Sequence, residues 1–299
     1  MDVARLRGAL DRLAARYNAS RLQHDPLSIV REYQGSPRDQ EVVGLLAAVL
    51  AFGRAELIIR AVRDLLGRMD RAPYEFVLTF DPAGDAPRFA GWQYRLWKAR
   101  DLACLLHLLR QLLEEHGSVG SFFQKAYAET GSVAGMLERF TAYMLSRDCS
   151  PFYRSGRLPA RAPVRSFFPR PSDGSACKRL NLYLRWMARG GDTLDTALWP
   201  TIPAAALVMP LDTHVARISR YLGLTRRRSP GWRMADAITA ALRRVAPEDP
   251  VRYDFALSHL GISGDCPRRL DLAKCRPCPL NSVCRRYRLA SARTRRAAR

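Results

Sequence analysis

Apolar residues recur along this chain at intervals of three and four, the spacing that lines one face of a helix. Leu6, Leu10, Leu13 and Tyr17 form a first such stripe. Ser36-Pro37-Arg38-Asp39 reads as an N-cap, a proline at the first helical position and an acidic third position, and opens a helix buried to about Phe52. Gly53 breaks the pattern, and Ile58, Val62, Leu65, Leu66 and Met69 stripe the next helix as far as the Pro73 region. Leu102, Leu105, Leu106, Leu109, Leu112 and Leu113 mark a long amphipathic helix ended by Gly117, and another runs from about Val133 to Arg147. Beyond residue 176 come helices over Cys177–Arg189, stopped by Gly190-Gly191, and Asp212–Leu222, stopped by Gly223. Two more lie near 233–245 and 249–260. Alternating strands are absent, so the expected fold class is all-α.

The pattern also divides the chain. Residues 1–147 read as an N-terminal helical region and 177–260 as a second one, with 148–176 between them as a basic, proline-rich loop lacking any apolar period. A cysteine-bearing loop follows over 261–290. Residues 291–299 hold four arginines and no core-forming side chain, which predicts a flexible basic tail.

Charge sharpens this division. The net charge is +21, of which residues 1–150 carry +2 and residues 151–299 carry +19. A compositional habit would not spare the first half, so a polyanion is the expected partner of the second. No basic amphipathic helix with a broad apolar face stands out, which favours nucleic acid over a membrane. The longest uncharged stretches fall short of the roughly 20 residues that span a bilayer, and Met1-Asp2 opens no basic n-region. The expectation is a soluble cytoplasmic protein associated with the nucleoid and acting as a monomer.

Seven cysteines are present, and Cys104, Cys149 and Cys177 are scattered. The other four stand together: Cys266-x8-Cys275-x2-Cys278-x5-Cys284, with Pro267, Pro277 and Pro279 keeping the segment out of a long helix. Four thiolates at close range suit a cubane cluster or a tetrahedral zinc. One close pair flanked by two singletons favours the cluster, because structural zinc is usually held by two close pairs.

The run from Leu260-Gly261 through Asp265-Cys266, then Lys274-Cys275-Arg276-Pro277-Cys278-Pro279-Leu280 and Cys284, resembles the cluster loop of the endonuclease III-like iron–sulfur branch of the helix-hairpin-helix (HhH-GPD) DNA glycosylase superfamily. The first gap is eight residues here and usually six there. Pro210-Leu211-Asp212-Thr213-His214-Val215 resembles the same superfamily's V-D-T-H motif. Lys178-Arg179-Leu180-Asn181 with Leu184-Arg185-Trp186-Met187 also resembles a bacterial family of unassigned function.

The superfamily resemblance implies two helical subdomains with a C-terminal [4Fe–4S] loop ligated by Cys266, Cys275, Cys278 and Cys284. It implies that Asp212 is the carboxylate that stabilises a sugar cation, a role suited to an N-cap position at the positive end of a helix. It further implies that Lys178 is the amine that attacks C1′ in members with lyase activity, since arginine stays protonated and cannot be a nucleophile. Where relatives carry a Pro-Gly-x-Gly phosphate-binding hairpin, this chain has Pro171-Ser172-Asp173-Gly174-Ser175-Ala176. Arg179, Arg268, Arg269, Lys274, Arg276, Arg285 and Arg286 are the expected phosphate contacts. Tyr183, Trp186 and Trp199 are candidates to stack on an extruded base, although aromatics at helical spacing are more often core. The resulting expectation is a base-excision DNA glycosylase with AP lyase activity, acting on duplex with a damaged or mispaired base. A non-catalytic DNA- or RNA-binding protein is the alternative.

Overall fold

The apolar stripes become helices in the computed structural model, which describes residues 2–297. In chain order these are α1 (Val3–Arg16), α2 (Leu27–Arg31), α3 (Pro37–Val49), α4 (Ala55–Arg68), α5 (Pro73–Leu78), α6 (Pro82–Asp85), α7 (Ala99–His116), α8 (Val119–Thr130), α9 (Val133–Ser146), α10 (Lys178–Ala188), α11 (Thr213–Leu222), α12 (Trp232–Arg243), α13 (Asp254–Ile262), α14 (Leu272–Cys275) and α15 (Arg285–Ala297). Among the described residues the strands are limited to β1 (Gln93–Tyr94) and β2 (Trp97–Lys98), an antiparallel pair of two residues each. The molecule is therefore all-α. No described helix is long and apolar enough to cross a membrane.

Two compact units divide the chain, and they interleave in sequence. A terminal unit holds Met1–Arg21, Ala176–Asn181 and Pro203–Arg299, and a central unit holds Leu22–Ser175 and Leu182–Ile202. The helical region expected over 1–147 is thus split near residue 21. The cause lies in α1, whose Leu6, Ala9, Leu10 and Leu13 are buried in packing against α13. At roughly 2 kcal/mol for each buried leucine, this apolar face outweighs sequence proximity to α2. Two hydrogen bonds pin the arrangement: the Tyr253 hydroxyl donates to Asp11 Oδ1 at 2.7 Å, and the Tyr17 hydroxyl donates to Asp265.

In the central unit α7 carries buried leucines along most of its length and packs against α5, α8 and α9. An aromatic cluster of Phe122, Phe123, Phe140, Tyr183 and Trp199 fills the space beside them. Buried Glu41 holds this cluster together. Its two carboxylate oxygens accept from Trp199 Nε1 at 2.8 Å and from the Gly120 amide at 2.9 Å, and its carbonyl accepts from the Tyr183 hydroxyl at 2.8 Å.

The segment 148–176 forms no α-helix or strand and contains two short 3-10 turns, Pro163–Phe167 and Pro171–Asp173. The tail expected over 291–299 falls on the last helix. The chain is helical from Arg285 to Ala297, and only residues 298 and 299 of that tail lie outside the described ones. Cys284 lies immediately before the first turn and its carbonyl accepts from the Arg288 amide at 3.0 Å, so the cysteine loop itself starts this helix.

Candidate functional site

The terminal unit brings all four loop cysteines to one cavity. Cys266, Cys275, Cys278 and Cys284 line it together with Ile218, Tyr221 and Leu222 of α11 and with Leu260 and Leu280. Backbone bonds set each position. The Cys266 amide donates to the Leu260 carbonyl at 3.0 Å, extending the end of α13, and Arg217 Nη2 donates to the Cys266 carbonyl at 2.7 Å. Cys275 ends the one-turn helix α14, which Asp271 caps by accepting from the amides of Ala273 and Lys274. The Cys278 amide donates to the Cys275 carbonyl at 3.2 Å and that of Cys284 to the Leu280 carbonyl at 2.8 Å.

The thiols are half-buried, and the free space among them is about 30 Å³, room for a water-sized group. Burial pushes Cys278 up to about 11, with the neighbouring thiols adding to the shift. Cys266 and Cys275 are raised as well, first by burial and then by other thiols of the set, while the Arg217 guanidinium pulls Cys266 back down. Among the described residues no group of three or more His, Cys, Asp or Glu side chains is gathered closely enough to hold a metal ion. The donor chemistry nevertheless suits a thiolate-ligated centre: four sulfurs on an otherwise largely apolar wall, where a cationic core would reverse the electrostatic penalty on their ionisation.

Asp212 is the N-cap of α11, half-buried, with Oδ1 accepting from the Val215 amide at 2.6 Å. Two residues on, the His214 ring lies against Gly261, where an added Cβ would come within 2.4 Å of it. Burial lowers the His214 pKa, opposed by the Asp212 carboxylate. Helix α11 thus carries Asp212 at its N-terminus and the wall of the cysteine cavity on its last turns.

Lys178 is the first residue of α10 and belongs to the same unit as Asp212. Before it, buried Cys177 adopts a left-handed φ of +46°, a conformation a side chain with a Cβ occupies at a cost. Asn181 secures that turn, its amide donating to the Cys177 carbonyl at 2.8 Å and its side-chain Nδ2 to the Ala176 carbonyl at 3.0 Å. Burial pushes the adjacent Arg179 guanidinium down to about 10.

The expected phosphate contacts divide by exposure. Arg268, Arg269, Arg276 and Arg285 are exposed. Arg286 is instead committed to the loop, donating to Tyr221 Oη at 2.8 Å, the Pro267 carbonyl at 3.3 Å and the Arg268 carbonyl at 2.8 Å. The exposed Lys274 reaches the Gly264 carbonyl at 3.2 Å. In the 171–176 segment the Ser172 amide donates to Glu138 Oε1 at 2.6 Å, so a carboxylate holds a donor that a phosphate would need. Tyr183, Trp186 and Trp199 are fully buried in the central unit and offer no face to a base. Cys104 and Cys149, scattered in sequence, are both buried in that unit, and the Cys149 thiol donates to the Arg147 carbonyl at 3.6 Å.

Residues 25–263 match the model of a family described as "Protein of unknown function (DUF2400)". The chain belongs to that family. No curated protein and no solved structure matches. The expected place in the HhH-GPD superfamily, on its endonuclease III branch, is corrected by this result: the matching family is DUF2400 and no family model from that superfamily matches. All four loop cysteines follow residue 263, so the motif behind much of that resemblance lies outside the segment that defines this DUF2400 member. Lys178 and Asp212 lie within it. Sequence analysis places Tyr17 on the first stripe and Asp265 beside Cys266 but does not show the role these two share with Arg217, which is to tether the cysteine loop to α1 and α11. Their signal is a polar residue at the edge of an apolar stripe, which a surface residue gives equally.

Proposed function

We propose that this DUF2400 protein is an iron–sulfur enzyme that excises a damaged or mispaired base from DNA and then opens the abasic strand. The observation that carries the reading is the construction of α11, one ten-residue helix with a carboxylate at its N-terminus and the four-cysteine cavity against its other end. Its surroundings are strongly basic, as DNA binding requires. In this reading a [4Fe–4S] cluster held by Cys266, Cys275, Cys278 and Cys284 is structural, fixing the loop against α11, and takes no part in the reaction.

The chemistry falls to two side chains. As the bond between sugar C1′ and the base nitrogen breaks, the base leaves with the bonding electrons and takes up a proton, and positive charge develops on the sugar. The Asp212 carboxylate stabilises that charge. The neutral Lys178 amine then attacks C1′, and loss of its protons and opening of the sugar ring give a Schiff base that permits elimination of the 3′ phosphate. Exposed Arg268, Arg269, Arg276 and Arg285 supply phosphate contacts, and Arg286 and Lys274 support them through the loop.

Borohydride trapping tests this. Protein incubated with lesion-bearing or abasic duplex should yield a covalent adduct that Lys178→Ala abolishes; full lyase activity without an adduct, or a fully active Lys178→Ala, removes Lys178 from the mechanism. A second reading, a DNA- or RNA-binding protein without catalysis, is favoured by one feature: Asp212 Oδ1 is already engaged as an ordinary N-cap. Inactivity of the wild type across a lesion panel, with binding intact and equal in Asp212→Asn, decides for it.

A further inference from the structure

A groove of about 980 Å³ lies along the last helix of the terminal unit, formed by α1, the cysteine loop and α15. Arg5, Arg276, Arg285 and Arg288 line it with Leu272, Tyr287 and Leu289, and among the described residues no acidic one does. All four arginines are exposed. Among the described residues none of them pairs with a carboxylate, whereas Arg185 and Arg189 of the central unit are ion-paired and buried. Four unneutralised guanidiniums on one groove repel each other and are stabilised by a bound polyanion.

Its position separates it from Asp212. Arg285 sits on the C-terminal end of α11, where a Cβ added at Gly223 would fall 2.2 Å from its guanidinium carbon. Asp212 caps the opposite end, and a ten-residue helix spans about 15 Å. A strand in the groove is therefore not the nucleotide undergoing excision.

The lining selects the form of the polyanion. Leu289 is 66% exposed, and with Leu272 and Tyr287 it gives the cationic groove an apolar lining. Duplex DNA shows phosphates outside and hides its base faces, so it has nothing to place on that lining. A single strand presents phosphates on one edge and base faces on the other, which is the complement of arginines alternating with tyrosine and leucine. We propose that this groove binds single-stranded DNA beside the excision site, sharing Arg276 and Arg285 with the duplex contacts proposed above and adding Arg5, Arg288 and Leu289, which excision does not use; the choice of deoxyribose rests on the proposed action on DNA. Tyr287 and Asn281 line both this groove and the cysteine cavity, so the thiol centre sets the groove's inner wall.

The test is anisotropy titration of the full protein with a labelled oligothymidylate and with a blunt lesion-bearing duplex of equal length, over a range of salt. The variants are Arg5→Ala/Arg288→Ala and, separately, Leu289→Asp, all at exposed positions and each checked for unchanged helicity and iron. The double variant is expected to reduce the single-strand slope of log K against log salt by about 1.4, at roughly 0.7 per lost phosphate contact. Leu289→Asp should weaken the single strand as well, and both variants should leave duplex excision intact. An unchanged slope and affinity, an equal loss on single strand and duplex, or tighter binding of an oligouridylate of the same length, titrated alongside, overturns the proposal. Asp212→Asn separates the two readings: excision lost with single-strand binding kept faults neither, wild-type excision absent with that binding kept faults only the catalytic reading, and excision present without single-strand binding faults only the groove.

Discussion

At the scale of single residues, Asp212 does two things that substitution can pull apart. Its side chain caps α11 through the Val215 amide, a contribution of about 1 kcal/mol, and its charge is what the proposed reaction needs. Asparagine caps about as well as aspartate but carries no charge. Asp212→Asn is therefore expected to melt close to the wild type while base excision falls about 10²- to 10³-fold, the usual loss for an electrostatic stabiliser. Asp212→Ala should lose both. Urea unfolding and single-turnover excision measured on the two variants check the split, and a stable, fully active Asp212→Asn would remove the catalytic role. Gly261 gives a second test, since an added methyl group would meet the His214 ring at 2.4 Å. Gly261→Ala should cost about 1–3 kcal/mol as overpacking, read as a lower urea midpoint with unchanged slope.

At the scale of elements, the sequence marks helices where an apolar stripe is long and ends in a glycine, as with α7 and Gly117 or α11 and Gly223. Helix α8 gives the same signal in shorter form: Val119, Phe122, Phe123 and Ala126 keep the three-and-four spacing over two turns and are buried, while Gly120 lets Glu41 and Trp199 approach, a role visible only in the packed structure. The tail escapes this pattern. The stretch after Arg285 has few apolar residues to announce a helix, and its start is dictated by the cysteine loop before it. The candidate site follows the same logic. Cysteine spacing is a local signal and is readable, whereas the placement of Ile218 and Leu222 against those cysteines depends on tertiary packing. Two expected outcomes follow. Glu41→Ala would leave the buried Trp199 Nε1–H and Gly120 N–H without acceptors, at about 1–3 kcal/mol each, and should lower the melting temperature well beyond a surface change. Cys278→Ser should remove the iron and brown colour of anaerobically purified protein while α3 to α9 stay protected from hydrogen exchange, because they belong to the other unit. Full iron content in that variant would mean that Cys278 is not a ligand.

At the scale of the whole molecule, composition foretells the basic second half but not the interleaved units, because α1 joins the C-terminal segments through buried leucines whose partner no local pattern names. A property spread over both units is the response to acid. Burial lowers the pKa of His107 and His116 in the central unit and of His214 in the terminal one. A histidine whose folded value lies below its ordinary value near 6.5 contributes stability that is fully present above that value. As the pH falls below it, the unfolded chain takes up protons that the folded rings refuse, and stability is lost progressively down through the folded values. At half-buried His107 burial outweighs the opposing pull of Asp148, which favours the protonated ring. Unfolding free energy is therefore expected to fall between pH 7 and pH 5, before most carboxylates titrate. His107→Gln should flatten that slope by up to one proton's worth, about 1.4 kcal/mol per pH unit. Urea titrations at fixed ionic strength across this window read the slope directly, and an identical slope in wild type and variant would show that His107 takes up its proton equally in both states.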